Sequence, residues 1–341
     1  MSDILTPTEE ALAEAPPPKR GGGALRYLLT KVGGGLVSLA LVIVLGFLLF
    51  RVLPGDPVLT MTRGRPASKE QIAELEAQLG LDKPLIAQFF DYLWRLLHGD
   101  LGESYVFRVP VTQKILERLG PTLLLVGTAT VIAVALGLWL GTRSAWRRDT
   151  RFDRVSTSVA LALWSTPTFF LGLLLMAATS GWFPTAGMTY SDTPPDFFSQ
   201  AVDIAHHMVL PTITLVAVVY AQYQLVMRSS LLEEMGADYL TTARAKGLRD
   251  DLVRRRHAVP NALLPTVTLV FLHMGFVVAG AITTETVFSW PGLGLLTYDA
   301  LEKRDLPLLT GTFIVLAGAV IVMNVFADIL YRVLDPRVRA S

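Results

Sequence analysis

Six stretches of this chain carry almost no charge. Each is about as long as the roughly 20 residues a helix needs to cross a hydrocarbon core of about 30 Å. They run from Val32 to Phe50, Leu119 to Thr142, Val155 to Phe183, Met208 to Met227, Pro265 to Phe288 and Leu306 to Leu330. Lipid offers no partner for a backbone amide, so every stretch is expected to be helical and to satisfy its own N–H and C=O groups. The sequence therefore predicts an all-α integral membrane protein with six transmembrane helices. Charged residues make up only 17% of the 341, against about 25% in soluble domains. A net charge of +1 gives no bulk attraction for nucleic acid, and the absence of cysteine excludes disulfides and thiolate metal sites.

The flanks define the topology. Residues 1–25 combine Glu9, Glu10 and Glu14 with Pro16, Pro17, Pro18 and Gly21, Gly22, Gly23, and read as a flexible cytoplasmic tail. Arginines crowd two short loops: Arg143, Arg147, Arg148, Arg151 and Arg154 after the second stretch, and Arg228, Arg244, Arg249, Arg254, Arg255 and Arg256 after the fourth. The loop from Pro184 to His207 has no Lys or Arg and three aspartates. Basic loops stay in the cytoplasm, so both termini are predicted inside. Tyr27, Trp146, Trp182, Trp290 and Tyr331 fall at stretch ends, as expected of interfacial rings. Small residues that allow helices to approach closely include Gly33, Gly34 and Gly35 in the first stretch, and Gly275, Ala279 and Gly280 in the fifth.

Residues 51–118 form an extracytoplasmic insertion with two helix candidates. Ser68 and Gln71 have the form of a capping box before Ile72, Leu75 and Leu79. After Asp82 and Pro84, Leu85, Phe89, Leu93 and Leu96 share a face; this helix either lies along the outer membrane surface or forms a packed cap.

Residues 228–264 form the longest cytoplasmic loop. Asp238 is expected to cap a short helix ended by Gly247, and Asp250 to cap a second one leading to the fifth span. Tyr239, Thr242 and Ala243 share one side at i, i+3 and i+4, small Thr241 and Ala243 admit close approach, and Arg244 and Lys246 can reach acidic groups on a partner.

Thr241-Thr242-Ala243, then Gly247, then His257-Ala258-Val259-Pro260 resemble the "EAA" loop of binding-protein-dependent ABC import permeases. The peptide-permease form reads like "DYVRTARAKG". Many importers carry Glu where this chain has Thr241, and an aliphatic residue where it has His257. Pro54-Gly55-Asp56-Pro57, Gly99-Asp100-Leu101-Gly102, the run from Glu285 through Trp290-Pro291-Gly292-Leu293-Gly294, and Leu334-Asp335-Pro336-Arg337-Val338 are similar too, so the likeness spans about 26–339.

The resemblance implies a type I importer-like permease, the first (B-type) subunit of the dipeptide/oligopeptide/nickel group, in a bacterial or archaeal cytoplasmic membrane. It further implies a second homologous permease subunit, two ATPase subunits (or one fused or homodimeric ATPase) and an extracytoplasmic substrate-binding protein. The ATPases would dock on Tyr239, Thr241, Thr242, Ala243, Arg244, Lys246 and Gly247. ATP and Mg would sit on them, with no cofactor in this chain. Independently of the resemblance, the sequence has no G-x-x-x-x-G-K-[ST] phosphate loop, so a nucleotide site must be elsewhere.

Polar residues within spans mark pathways or helix–helix hydrogen bonds. Gln222, Gln224 and His273 are the candidates, with Glu285 at an outer entrance or simply solvated at the interface. Adjacent His206 and His207 lack the i, i+4 spacing of a metal pair and read as interfacial. Asp328 is expected to pair with Arg332. No catalytic constellation is present, so the chain is expected to be a translocating subunit and not an enzyme. Peptide import is the leading function, a nickel or other small-solute importer the alternative. An ion-coupled secondary carrier lacks midplane relay residues beyond His273, and a membrane-embedded enzyme lacks a catalytic set.

Overall fold

The computed structural model describes residues 23–52, 68–78 and 83–334. The Pro54–Pro57 motif, Leu79, Gly80 and the Leu334–Val338 motif beyond Leu334 lie outside them. So do the side chains of Tyr27, Tyr331, Arg332 and residues 272–280, including His273.

The described residues are almost entirely helical: α1 (Gly23–Val52), α2 (Lys69–Gln78), α3 (Leu85–Leu97), α4 (Val111–Trp146), α5 (Arg151–Trp164), α6 (Thr168–Ala178), α7 (Phe197–Glu234), α8 (Asp238–Ala245), α9 (Asp250–Val253), α10 (Val259–Val287), α11 (Leu293–Glu302) and α12 (Leu306–Leu334). Four of these are long and apolar enough to cross a membrane alone, and α5 with α6 makes a fifth candidate as a bent pair. The protein is a multi-pass membrane protein.

The third stretch departs from the expected single helix. α5 and α6 meet at 105° around Ser165-Thr166-Pro167. Pro167 has no N–H to donate and disfavours helical geometry at Thr166. The hydroxyls of Ser165 and Thr166 donate back to the carbonyls of Leu161 and Ala162, at 2.9 and 2.8 Å, closing the helix before the break.

Two helices are far longer than a bilayer requires. α4 has 36 residues and α7 has 38, so at 1.5 Å per residue each spans about 55 Å. They form the most extensive helix pair, and they cross at glycine. A Cβ on Gly137 would lie 2.6 Å from Tyr223 Cβ and 2.8 Å from the Tyr220 carbonyl; one on Gly141 would lie 2.6 Å from the Gln224 carbonyl. Only hydrogen fits there. The crossing lies between two cores: Leu125, Ala129, Ala133, Ala160, Leu215 and Tyr220 on one side, and Ala145, Met227 and Leu231 toward the loop at 228–264.

Among the described residues, α1 packs mainly on α12. Gly35 meets Val325 and Ile321, Gly46 meets the Phe313 ring, and Lys31 pairs with Asp328 at 2.8 Å. Asp328 thus reaches to another helix, where local spacing pointed to Arg332. Gly33 and Gly34, expected to admit a neighbour, face open space in this chain. Trp290, expected at the interface, is fully buried.

Replacing Gly137 with Val should force α4 and α7 apart and cost about 1–3 kcal/mol, as overpacking does. Gly127→Val, where a Cβ meets nothing, should be neutral. Thermal denaturation of the purified protein followed by loss of its monodisperse chromatographic peak checks the pair.

Candidate functional site

Residues 228–264 fold as a compact knuckle on the ends of the long helices. Leu240 and Ala243 of α8 turn inward against Ala145 of α4, Met227 and Leu231 of α7, and Val253, Ala258 and Ala262 beyond. Ala243, expected on the partner-facing side, is therefore core. Neither aspartate caps its helix: Ala237 and Arg249 occupy the N-cap positions, and Asp238 and Asp250 sit in the first turns, where their charge still favours the helix N-terminus. Gly247 ends α8 with φ +81°, the left-handed conformation that glycine adopts without a Cβ penalty.

Tyr239 ties the two ends of the loop together. Its hydroxyl donates to the Glu234 carboxylate at the end of α7 and accepts the Asn261 amide of α10 at 2.9 Å. Burial and then the Glu234 carboxylate raise the phenol above its usual range. Arg244 pairs with Asp250 at 3.2 Å across the Gly247 turn. Residues 254–258 form one π-turn, which places His257 at a widened point of the helix entering α10. Behind the knuckle, Arg228 of α7 holds the nearly buried Asp153 of α5 through two bonds of 2.7 and 2.8 Å. What remains exposed along α8 and the turn after it is Asp238, Tyr239, Thr241, Thr242, Arg244, Ala245, Lys246 and Gly247. A small, polar and basic edge on a rigid base can transmit displacement to α4, α5, α7 and α10.

The four pathway candidates separate. Gln222 is half-buried. Gln224 is fully buried at the glycine crossing, and neither amide atom has a hydrogen-bond partner among the described residues. The His273 side chain lies outside the described residues. Glu285 does not face an entrance or solvent: it is fully buried and holds a turn closed. One carboxylate oxygen accepts the Thr122 hydroxyl of α4 at 2.7 Å; the other accepts the N–H groups of Gly294 and Leu295 in the first turn of α11, at 2.7 and 3.2 Å. Thr122 in turn accepts the Leu293 N–H at 2.7 Å, and the Trp290 indole donates to the Pro121 carbonyl at 3.0 Å. Neighbours leave room only for hydrogen at both glycines: a Cβ on Gly292 would overlap the Glu285 carboxylate, and one on Gly294 would lie 2.4 Å from the Ile282 Cα.

Two further buried acids do similar work, and the sequence reading did not single them out. Asp305 begins α12 and accepts the Leu308 N–H at 3.3 Å. It also reaches across to the Ser104 hydroxyl and to the N–H groups of Tyr105 and Val106, at 3.2 and 3.1 Å. Asp203 of α7 accepts the Tyr190 N–H at 2.7 Å, the Thr193 hydroxyl and the His207 ring. The position of Asp305 just before Leu306-Pro307 was a readable N-cap signal; its link to residues 104–106, some 200 positions away, was not. The Gly-x-x-x-Gly spacing of Gly137 and Gly141 was equally readable. His207 is buried against Asp203 and Tyr190, while His206 packs on Phe183. Among the described residues, no three His, Asp or Glu side chains cluster as a metal site.

Comparison with known proteins adds the context. The pattern of the family "Binding-protein-dependent transport system inner membrane component" matches residues 133–340, and that of its N-terminal region matches 24–126. The chain is 38% identical over 335 residues to the dipeptide transport system permease protein DppB of Escherichia coli, covering 92% of this chain and 99% of that protein. It is 39% identical over 318 residues to the glutathione transport system permease protein GsiC of Pectobacterium atrosepticum, with the same coverage. A putative peptide permease protein of Brucella suis is 39% identical over 322 residues, covering 93% of this chain and all of that protein.

Replacing Glu285 with Leu should strand the N–H groups of Gly294 and Leu295 at about 1–3 kcal/mol each. Thr122→Val should cost less, since it strands the single Leu293 N–H while the carboxylate keeps its two backbone donors. The order of the two melting temperatures checks the latch.

Proposed function

Because the chain belongs to the family of binding-protein-dependent transport system inner membrane components, we propose that it is the translocating subunit of an ATP-driven ABC importer for di- and oligopeptides. The observation that carries the substrate class is its likeness, over nearly the whole length, to relatives named for dipeptide, glutathione and peptide transport. The chain is the B-type subunit of a pair. It spans the inner membrane six times through α1, α4, the bent α5–α6 pair, α7, α10 and α12, with both termini cytoplasmic. Residues 51–118 lie outside, and residues 228–264 inside. The basic loops at 143–154 and 228–256 support that orientation.

The partners are a second homologous permease, a pair of ATPases (separate or fused) and an extracytoplasmic binding protein. ATP and Mg are bound by the ATPases. They push on the exposed edge of α8, at Tyr239, Thr241, Thr242, Arg244, Lys246 and Gly247. Ala243 contributes from beneath, by seating α8 on the ends of α4 and α7. Nucleotide and substrate act by favouring different states of one bundle, each only as far as it binds one state better.

The complex reconstituted in proteoliposomes with its ATPases, second permease and binding protein should accumulate labelled di- or oligopeptide only with ATP. Transport that persists without ATP and without the partner chains would make this a secondary carrier. Uptake of nickel but not peptide would favour the small-solute alternative. Thr242→Arg and Ala245→Trp alter only exposed positions. Each should lower ATP-driven uptake about tenfold or more, equivalent to about 1.4 kcal/mol of coupling, with an unchanged melting temperature. Normal uptake by both would remove α8 as the contact.

A further inference from the structure

One apolar surface is left without a protein partner. α3 has no buried residue, although 10 of its 13 positions are apolar or aromatic. Phe89, Tyr92 and Leu96, at i, i+3 and i+7, are half-buried, and two of them meet the Phe47 ring of α1 at centroid distances of 5.3 and 5.6 Å. Ile86, Phe90 and Leu97 lie along a second line at i, i+4 and i+11, with Trp94 beside it, and are 62–73% exposed. The apolar arc therefore covers more than half of the helix, and α1 accounts for only one edge of it.

The remaining sector is polar and internally paired. Gln88, Asp91 and Arg95 follow one another at i, i+3 and i+7. Lys83 pairs with Asp91 at 2.6 Å, Arg95 pairs with Asp100 at 2.8 Å, and the Gln88 amide donates to the Lys83 carbonyl at 2.7 Å. This is the side a water-facing helix would present.

We propose that α3 lies in the interfacial zone of the outer leaflet, with Ile86, Phe90, Trp94 and Leu97 immersed among acyl chains and the Gln88–Asp91–Arg95 line in water. Three observations favour lipid over a protein occupant. First, the exposed stripe adjoins an apolar run long enough to cross a membrane, which this chain itself leaves almost uncovered. Phe47 stands near the end of the apolar run Leu29–Leu48, of which only 6% is buried inside the chain. Second, the stripe offers no charge and no hydrogen-bonding group except the Trp94 indole, so it gives a protein partner nothing polar to recognise. Third, a tryptophan on the edge of an amphipathic helix matches the headgroup boundary, where its ring is apolar and its N–H is wet. The helix then acts as a float on the outer surface, holding the far end of α1 and the chain entering Gly99–Pro110 at a set depth. This inference rests on the proposed orientation, which puts residues 51–118 outside, but not on the chain carrying peptides.

The chain has no cysteine, so single nitroxide labels are straightforward. Labels at positions 86, 90, 94 and 97, and at 88, 91 and 95, are placed in the assembled, otherwise cysteine-free complex in lipid nanodiscs. Collision with oxygen and with a water-soluble nickel chelate is then compared. Positions 86, 90, 94 and 97 should favour oxygen and positions 88, 91 and 95 the chelate, so the depth parameter changes sign around the helix. Chelate access at all seven positions would put α3 in water and overturn the proposal. Exclusion of both reagents at 86, 90, 94 and 97 would also overturn it, by assigning the stripe to the second permease or the binding protein. If Phe90→Cys or Trp94→Cys fails to assemble, the more exposed Ile86→Cys and Leu97→Cys still decide between these results.

Discussion

The close crossing of α4 and α7 at Gly137 and Gly141 is the contact on which the architecture rests. Two helices of about 55 Å touch backbone to backbone there, with no room for a single methyl group. In lipid there is no hydrophobic force to press helices together, so association depends on how closely their backbones pack. The crossing makes one strut of two helices. One half carries α11 and the start of α12, and the opposite end carries the α8 knuckle. Any force applied at α8 therefore enters the longest rigid element of the chain.

The two ends of that strut are built differently. On one side, buried carboxylates fasten irregular chain to helices. Glu285 closes the turn into α11 against Thr122, Asp305 joins α12 to residues 104–106, and Asp203 holds residues 190–193. Each accepts backbone N–H groups that would otherwise be stranded away from water, at a cost comparable to a lost hydrogen bond. At the α8 end the seat is apolar: Leu240 and Ala243 rest on Ala145, Met227 and Leu231, with Tyr239 bracing the loop ends. A seat of small side chains keeps α8 close to the helix ends while leaving its polar edge free.

Local signals were the ones that could be read from the chain. The Ser68–Gln71 capping box forms as expected, with reciprocal bonds of 3.0 and 3.2 Å, because both partners lie within one turn. Gly247 stops α8 because only its own φ is at stake. Reading failed mainly where a residue's partner was distant in sequence, although the local caps expected of Asp238 and Asp250 did not form either. Glu285 looked like an entrance carboxylate because Thr122 is 163 positions away. Asp328 was matched to the next turn, but its cation is Lys31 on another helix. Ala243 looked like a contact for a partner because its burial depends on how α8 docks, not on helical spacing.

The sequence by itself determined that this chain lives in a membrane, which segments are helices and which loops carry positive charge. Those properties follow from hydropathy, charge and turn chemistry, all summed over neighbouring residues. Tertiary structure alone decided which glycines touch a neighbour, which acids are buried latches and which face of α8 is presented outward. These depend on the register and rotation of one helix against another, and packing between distant segments sets both.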